Sequence, residues 1–187
     1  MRKLIFQMLT SLDGYSEGTN KEIDWHNVDD EFNQYAADLL DTVDTLLFGR
    51  ATYQLMADYW PSAAALRDDP VIAEKMNRIN KIVISRTLGS VKWNNSRLIK
   101  ADIEDEIRKL KKMSGHDIVI FGSSNLAVAL MKNDLVDEFR IFVNPIILGK
   151  GKPVFEGITG RYKLKLLSTK TFKSGNVMLS YKPNKKS

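Results

Sequence analysis

Residues 117–157 read DIVIFGSSNLAVALMKNDLVDEFRIFVNPIILGKGKPVFEG, and their pattern carries the clearest signal of the fold. Residues 118–121 form an apolar run without a charge. It stops at Gly122, where Ser123, Ser124 and Asn125 offer the short polar side chains that begin helices. Leu126, Ala129 and Leu130 then recur at i, i+3 and i+4, so a helix follows. Near Asn133 it gives way to a second apolar strand over 139–143. A strand, a turn, a helix and a strand in that order leave the free N–H groups of a helix start at Gly122 to Asn125. With the positive end of the helix dipole, they make this turn a candidate site for a phosphate or pyrophosphate.

The same alternation extends in both directions. Toward the N-terminus, residues 4–9 predict a first strand, and 10–20 a loop in which Leu12, Asp13 and Gly14 favour turning. Phe32, Tyr35, Ala36, Leu39, Leu40 and Val43 recur at helical spacing, with Asp29 and Asp30 suited to that helix's N-terminus. Residues 45–48 predict a strand broken by Gly49, and 50–57 a helix that stops before Tyr59, Trp60 and Pro61. A loose segment runs through Asp68 and Asp69 to Pro70, which fits a first helical position ahead of a short helix over 71–79. A strand over 81–84 ends at Ser85, Arg86 and Thr87, a weaker one lies near Leu98 and Ile99, and a helix capped by Asp102 closes at Gly115. Toward the C-terminus, 163–171 and 176–181 form a hairpin through Lys173, Ser174 and Gly175. The expected fold class is α/β: a mixed, mostly parallel central sheet flanked by helices, with a C-terminal antiparallel hairpin at one edge. Without an internal repeat or a low-complexity linker, residues 1–187 read as one domain.

Ligands of such sheets bind beyond the carboxyl ends of the strands, and three polar strand ends recur here: Gly49-Arg50, Ser85-Arg86 and Gly122-Ser123. Arg50 and Arg86 supply charge for phosphate, Thr52 and Ser85 short hydroxyls, and Gly122 to Asn125 a backbone cradle. Taken singly, each admits a plainer reading, Gly49 as a strand end and Arg50 as half of an ion pair. Trp25, Trp60 and the methionines suit either a flat-ligand pocket or the core. Gly149 and Gly151 shape either a loop over a ligand or a turn before Pro153.

Composition excludes several classes. The chain has 187 residues, 43% hydrophobic and 27% charged, the balance of a soluble globular protein. Neither a membrane span nor a signal peptide is expected. With no cysteine and only His26 and His116, disulfides, thiolate chemistry and a zinc cluster are excluded, and a reducing, cytoplasmic compartment is expected. The net charge of +5 is spread along the chain, and its densest run, Arg108, Lys109, Lys111 and Lys112, reads as the solvated face of a helix, so no nucleic-acid partner is expected. Lys185 and Lys186 read as a frayed tail. No G-x-G-x-x-G, Walker A or G-x-S-x-G motif occurs.

The order LTSLDG, DTLLFGRATY, IVISRTL, IVIFGSSNLAVAL and LVDEFRIFVNPIILGKGKPVFEG resembles the dihydrofolate reductase-like superfamily, in particular its RibD C-terminal branch, the reductase of riboflavin biosynthesis. The most specific parts are FGRxTY at Phe48 to Tyr53 and the run from Val136 to Phe155. The resemblance implies an NADPH-dependent oxidoreductase acting on a small heterocycle, of the pterin or ribosylaminopyrimidine class, similar to 5-amino-6-(5-phosphoribosylamino)uracil reductase, and a homodimer. It implies that Gly49, Arg50 and Thr52 meet the cofactor's phosphates, that Ser85 and Arg86 meet the adenosine ribose and its 2'-phosphate, and that Gly122, Ser123, Ser124, Asn125 and Leu126 form the pyrophosphate turn. The Leu12-Asp13-Gly14 loop would close over nicotinamide and substrate, with Asp13, Trp25 and Phe32 on the substrate side. Asp29 is the candidate catalytic acid, and capping its helix is the alternative. Ser123 and Ser124 stand where the family carries a further glycine. No metal is expected, and the alternative function is a non-catalytic dinucleotide-binding or regulatory module.

Overall fold

The computed structural model describes residues 1–184; Lys185 and Lys186 lie outside the described residues. Its elements in chain order are β1 (Leu4–Thr10), β2 (Tyr15–Glu17), α1 (Asp30–Thr42), β3 (Val43–Gly49), α2 (Arg50–Tyr59), α3 (Ala63–Asp68), α4 (Pro70–Arg78), β4 (Asn80–Ile84), β5 (Ser96–Ile99), α5 (Ile103–Lys112), β6 (Asp117–Phe121), α6 (Ser124–Lys132), β7 (Glu138–Val143), β8 (Lys152–Pro153), β9 (Leu164–Thr171) and β10 (Val177–Pro183). The main sheet has the order β5-β4-β3-β6-β1-β7-β10-β9. The first six strands in that order run parallel, and β10 and β9 add the antiparallel hairpin, so the mixed, mostly parallel architecture is observed.

Parallel strands covered on both faces must be apolar on both, which is why LIFQMLT and VDTLLFG read as near-continuous hydrophobic runs. Leu4, Phe6, Leu47, Ile118 and Ile120 pack on one side against Ile107 and Leu110 of α5 and Leu126 and Leu130 of α6. On the other side Ile5, Leu46, Phe48 and Val119 pack against Leu39 and Leu40 of α1 and Ile72 and Met76 of α4. Truncating a fully buried residue such as Leu46 or Phe48 to alanine costs about 2–5 kcal/mol. The layers end before β9, which is exposed along its whole length.

Several local expectations change. The loop over 10–20 contains β2, which pairs with β8 in a separate two-stranded sheet, and the loose segment before Pro70 contains α3, capped by the Ser62 side chain. The helix at Arg50 continues through Tyr59, and α5 ends at Lys112 ahead of Gly115. Asp102 stands at the start of α5, but its side chain makes no capping bond, because the residue is itself left-handed with φ 50°. Lys81, in the apolar strand run, is 1% exposed. Its ammonium donates to the carbonyls of Met76, Asn77 and Ile79 and sits 4.4 Å from the Trp93 ring centroid, closing the end of α4.

Candidate functional site

β4, β3 and β6 are neighbours, so the three polar strand ends open side by side along one edge of the sheet. Gly49 pairs with Ile84, one residue before Ser85, and Gly122 donates its N–H to the Gln7 carbonyl of β1 at 3.1 Å. The chain turns into α6 through two successive left-handed residues, Gly122 at φ 57° and Ser123 at φ 54°. Glycine tolerates that conformation, while serine pays roughly 1–2 kcal/mol. The Ser123 hydroxyl compensates by tying two strand ends together. It accepts the Gly49 N–H at 2.8 Å and donates to Thr52 Oγ1 at 2.8 Å, while the Ser123 N–H also reaches Thr52 Oγ1, at 3.2 Å. The serine expected to cap a helix is therefore a bridge, and α6 has no side-chain cap.

The helix that begins at Arg50 is also uncapped by any side chain, and neither first turn contains an acid. The earliest N–H groups of α2 and α6 thus have no intrahelical acceptor and no carboxylate in their own first turns. Arg50 lies at the mouth and donates to Thr87 Oγ1 at 2.9 Å. Ser85 Oγ accepts the N–H groups of Thr87 at 3.2 Å and Leu88 at 3.0 Å, so it shapes this strand end. Arg86 is exposed, has no hydrogen-bond partner among the described residues, and lines a cleft of about 430 Å³ with Asp102, Glu104, Leu126 and Asn133. Ser124 is buried and Asn125 exposed. A group with several phosphate oxygens suits this donor set: two dipole ends, two guanidinium groups and a close backing, since a Cβ on Gly122 would sit 3.4 Å from Thr52 Cγ2.

The residues expected on the substrate side lie at the start of α1, in the segment before it and in the loop between β1 and β2. The Asp29 carboxylate accepts the Phe32 N–H at 2.8 Å and caps α1, whose first turn carries Asp30 and Glu31. Phe32 is 8% exposed and packs with Phe142, Phe172 and Met178. Trp25 donates through Nε1 to the Glu22 carbonyl at 3.1 Å and meets the His26 ring edge-on at 4.5 Å. Asp13 accepts the Leu148 and Gly149 N–H groups at 3.1 and 2.8 Å, which joins its loop to the segment after β7. Its bond with Ser11, followed by those two N–H groups, holds its carboxyl below the ordinary value.

Sequence reasoning missed three asparagines that pin the approach to α1. Asn144 Oδ1 accepts the Asn27 N–H at 2.8 Å, Asn27 Nδ2 donates to the Ser174 carbonyl at 2.6 Å, and Asn176 Nδ2 donates to the Asn27 carbonyl at 2.7 Å. No local pattern marks them, because their partners are 117 to 149 residues distant. Beside them His26 Nε2 is buried without a partner among the described residues, and burial pulls the His26 imidazole down to about 4. Gln7 and Arg140 were also missed, although each is a polar residue inside an apolar strand, LIFQMLT and EFRIFV, which is a readable signal.

Comparison with known proteins agrees with this architecture. A family model described as the RibD C-terminal domain matches residues 2–178. The Bacillus subtilis uncharacterized protein YyaP is 35% identical over 184 residues, covering 96% of this chain and 94% of its own. Among solved structures, a deaminase and 5-amino-6-(5-phosphoribosylamino)uracil reductase from Thermotoga maritima superposes with a TM-score of 0.69 at 15% identity, over 97% of this chain and 56% of that one. Dihydrofolate reductase from Enterococcus faecalis, solved with NADP(H), gives 0.65 at 15% identity over 98% and 97%. At such identities the likeness is one of fold. No helix among the described residues is long and apolar enough to cross a membrane.

Proposed function

The chain belongs to the RibD C-terminal domain family, and on that footing we propose that it is an NADPH-dependent reductase passing a hydride to a small heterocycle of the pterin or ribosylaminopyrimidine class. The reading rests on one observation above others: α2 and α6 begin at adjacent strand ends, uncapped by side chains and free of acids. The N–H groups at Arg50 to Thr52 and Ser124 to Leu126 bind the pyrophosphate, with Gly49 and Gly122 letting the backbone come close. Arg50 and Arg86 supply the cationic contacts, Arg86 and Ser85 toward the adenosine end. The cofactor supplies the hydride; the chain orients it and keeps the pocket dry.

Titration with NADPH should quench tryptophan fluorescence and raise the melting temperature, and the absence of both would remove this reading. Arg86→Ala should weaken NADPH at least tenfold and NADH little, since only NADPH carries a 2'-phosphate; equal losses would contradict the assignment of Arg86.

A second reading, a non-catalytic dinucleotide-binding or regulatory module, is favoured by the engagement of Asp29 as a helix cap and of Asp13 in a loop clasp. Asp29→Asn separates the two, because asparagine caps as well as aspartate. Under the reductase reading with Asp29 as acid, it keeps the melting temperature and loses turnover across a panel of pterins, pyrimidines and quinones. A wild type that binds cofactor and oxidises none of it supports the module. We further infer a single domain over 1–187, a cytoplasmic protein and a homodimer, the last supported by uncovered β9 with Leu164, Leu166 and Leu167 exposed.

A further inference from the structure

Between α1 and the sheet, in a layer filled otherwise by Ile5, Leu9, Phe32 and Phe142, three polar side chains meet. The Tyr35 hydroxyl donates to Gln7 Oε1 at 3.0 Å and accepts from Arg140 Nη1 at 3.3 Å. Gln7 and Arg140 are direct register partners on β1 and β7. Arg140 Nε continues the chain to Glu138 Oε1 at 2.7 Å, and Lys3 Nζ reaches Glu138 Oε2 at 3.3 Å.

The direction of these bonds matters. Because Arg140 occupies the Tyr35 oxygen, the phenol hydrogen needs an acceptor, and that turns the Gln7 amide oxygen toward Tyr35. Burial lifts the Tyr35 phenol above its ordinary value and keeps it a donor. The Gln7 amide nitrogen is then left with two hydrogens and no partner among the described residues, although Gln7 is only 5% exposed. Arg140 Nη2 likewise makes no hydrogen bond among the described residues. Neither nitrogen is among the fully buried side-chain atoms that lack a partner, and the Arg140 side chain is 23% exposed, so both donors open outward from the layer toward a ligand. Gln7 also touches the other half of the site, since its carbonyl receives the Gly122 N–H. On the same face Leu9, Tyr35 and Phe121 stay half-buried, a lining for a flat ring.

We propose that Gln7 Nε2 and Arg140 Nη2, aimed by Tyr35, recognise the substrate through adjacent acceptors, a carbonyl oxygen and a ring nitrogen, on one edge of a planar heterocycle. The assignment rests on the reductase reading above. It makes Gln7 and Arg140 specificity-determining residues and Tyr35 a positioning residue.

The test is calorimetric titration with pterin and with 5,6-diaminouracil, with and without saturating NADPH. Gln7→Glu is the decisive variant: it keeps an acceptor for Tyr35 and removes both amide hydrogens. It should weaken binding of both rings at least tenfold while NADPH affinity stays within twofold and the melting temperature holds. Tyr35→Phe, which preserves the ring packing, should weaken the same rings three- to tenfold. Equal ring binding by wild type and Gln7→Glu overturns the proposal, as does no ring binding by the wild type, or a parallel fall in NADPH affinity, which marks a structural role. If the cofactor reading alone fails, NADPH does not bind the wild type, yet the ring affinities still separate wild type from variants.

Discussion

Helices α1, α2 and α6 all start at the carboxyl edge of the sheet, and they start in opposite ways. α1 has the Asp29 cap, Asp30 and Glu31 in its first turn, and an approach fixed by Asn27, Asn144 and Asn176. α2 and α6 have neither cap nor acid, and the serine that could cap α6 bridges Gly49 and Thr52 instead. One region engages its carboxylate and amide donors to hold itself together, leaving His26 Nε2, Ser174 Oγ and Asn176 Oδ1 unpartnered among the described residues; the other keeps its helix-start donors open. That difference separates scaffold from proposed anion site more sharply than residue type does, since Ser and Asn occur in both.

On the closed side, His26 Nε2 is the titratable atom among the buried ones without a partner, beside Ser174 Oγ and Asn176 Oδ1. The unfolded imidazole gains its proton below about pH 6.5, while the folded one, held down to about 4 by burial, stays neutral. The unfolded state therefore binds more protons in that window, so stability falls as pH drops from 6.5 to 4, by roughly 3 kcal/mol if no other group compensates. Denaturant melts of wild type and His26→Phe across this range should diverge, the variant lacking this part of the acid loss; parallel curves would show that His26 is not what the acid reaches.

On the open side, Asn125→Asp gives α6 the acid that α1 already has. The carboxylate should stabilise the free protein by about 0.5 kcal/mol through the helix dipole and weaken NADPH about tenfold through repulsion. Stability and affinity moving in the same direction would contradict an anion site there. The smallest effect is expected of Ser123→Gly, which relieves the left-handed serine and frees the Gly49 N–H for a ligand. NADPH should bind up to about threefold tighter, and a looser complex would show that the Ser123 bridge is itself needed to set the turn.

The fold was legible because its signals are local. Apolar runs ending at Gly49, Ser85 and Gly122 marked the parallel strands, and helical spacing from Phe32 to Leu40 marked α1. Strands β2 and β8 were not, since two- and three-residue strands carry no periodicity, and Lys81 in an apolar run gave no hint that it closes α4. At the site, Gly49, Arg50, Thr52 and Ser123 were readable as neighbours because β3 and β6 pair directly. Which polar groups remain unspent was not readable. That depends on partners such as Asn144 for Asn27, Leu148 for Asp13 and Arg140 for Tyr35, which only the folded chain brings together.

The most direct test of the contrast is a titration of the ¹⁵N-labelled protein with NADPH, followed amide by amide. The largest shifts should fall at Arg50, Ala51, Ser124 and Asn125, with Asp30 and Glu31 at the start of α1 nearly unmoved. Shifts centred on α1, or none at the starts of α2 and α6, would contradict that contrast.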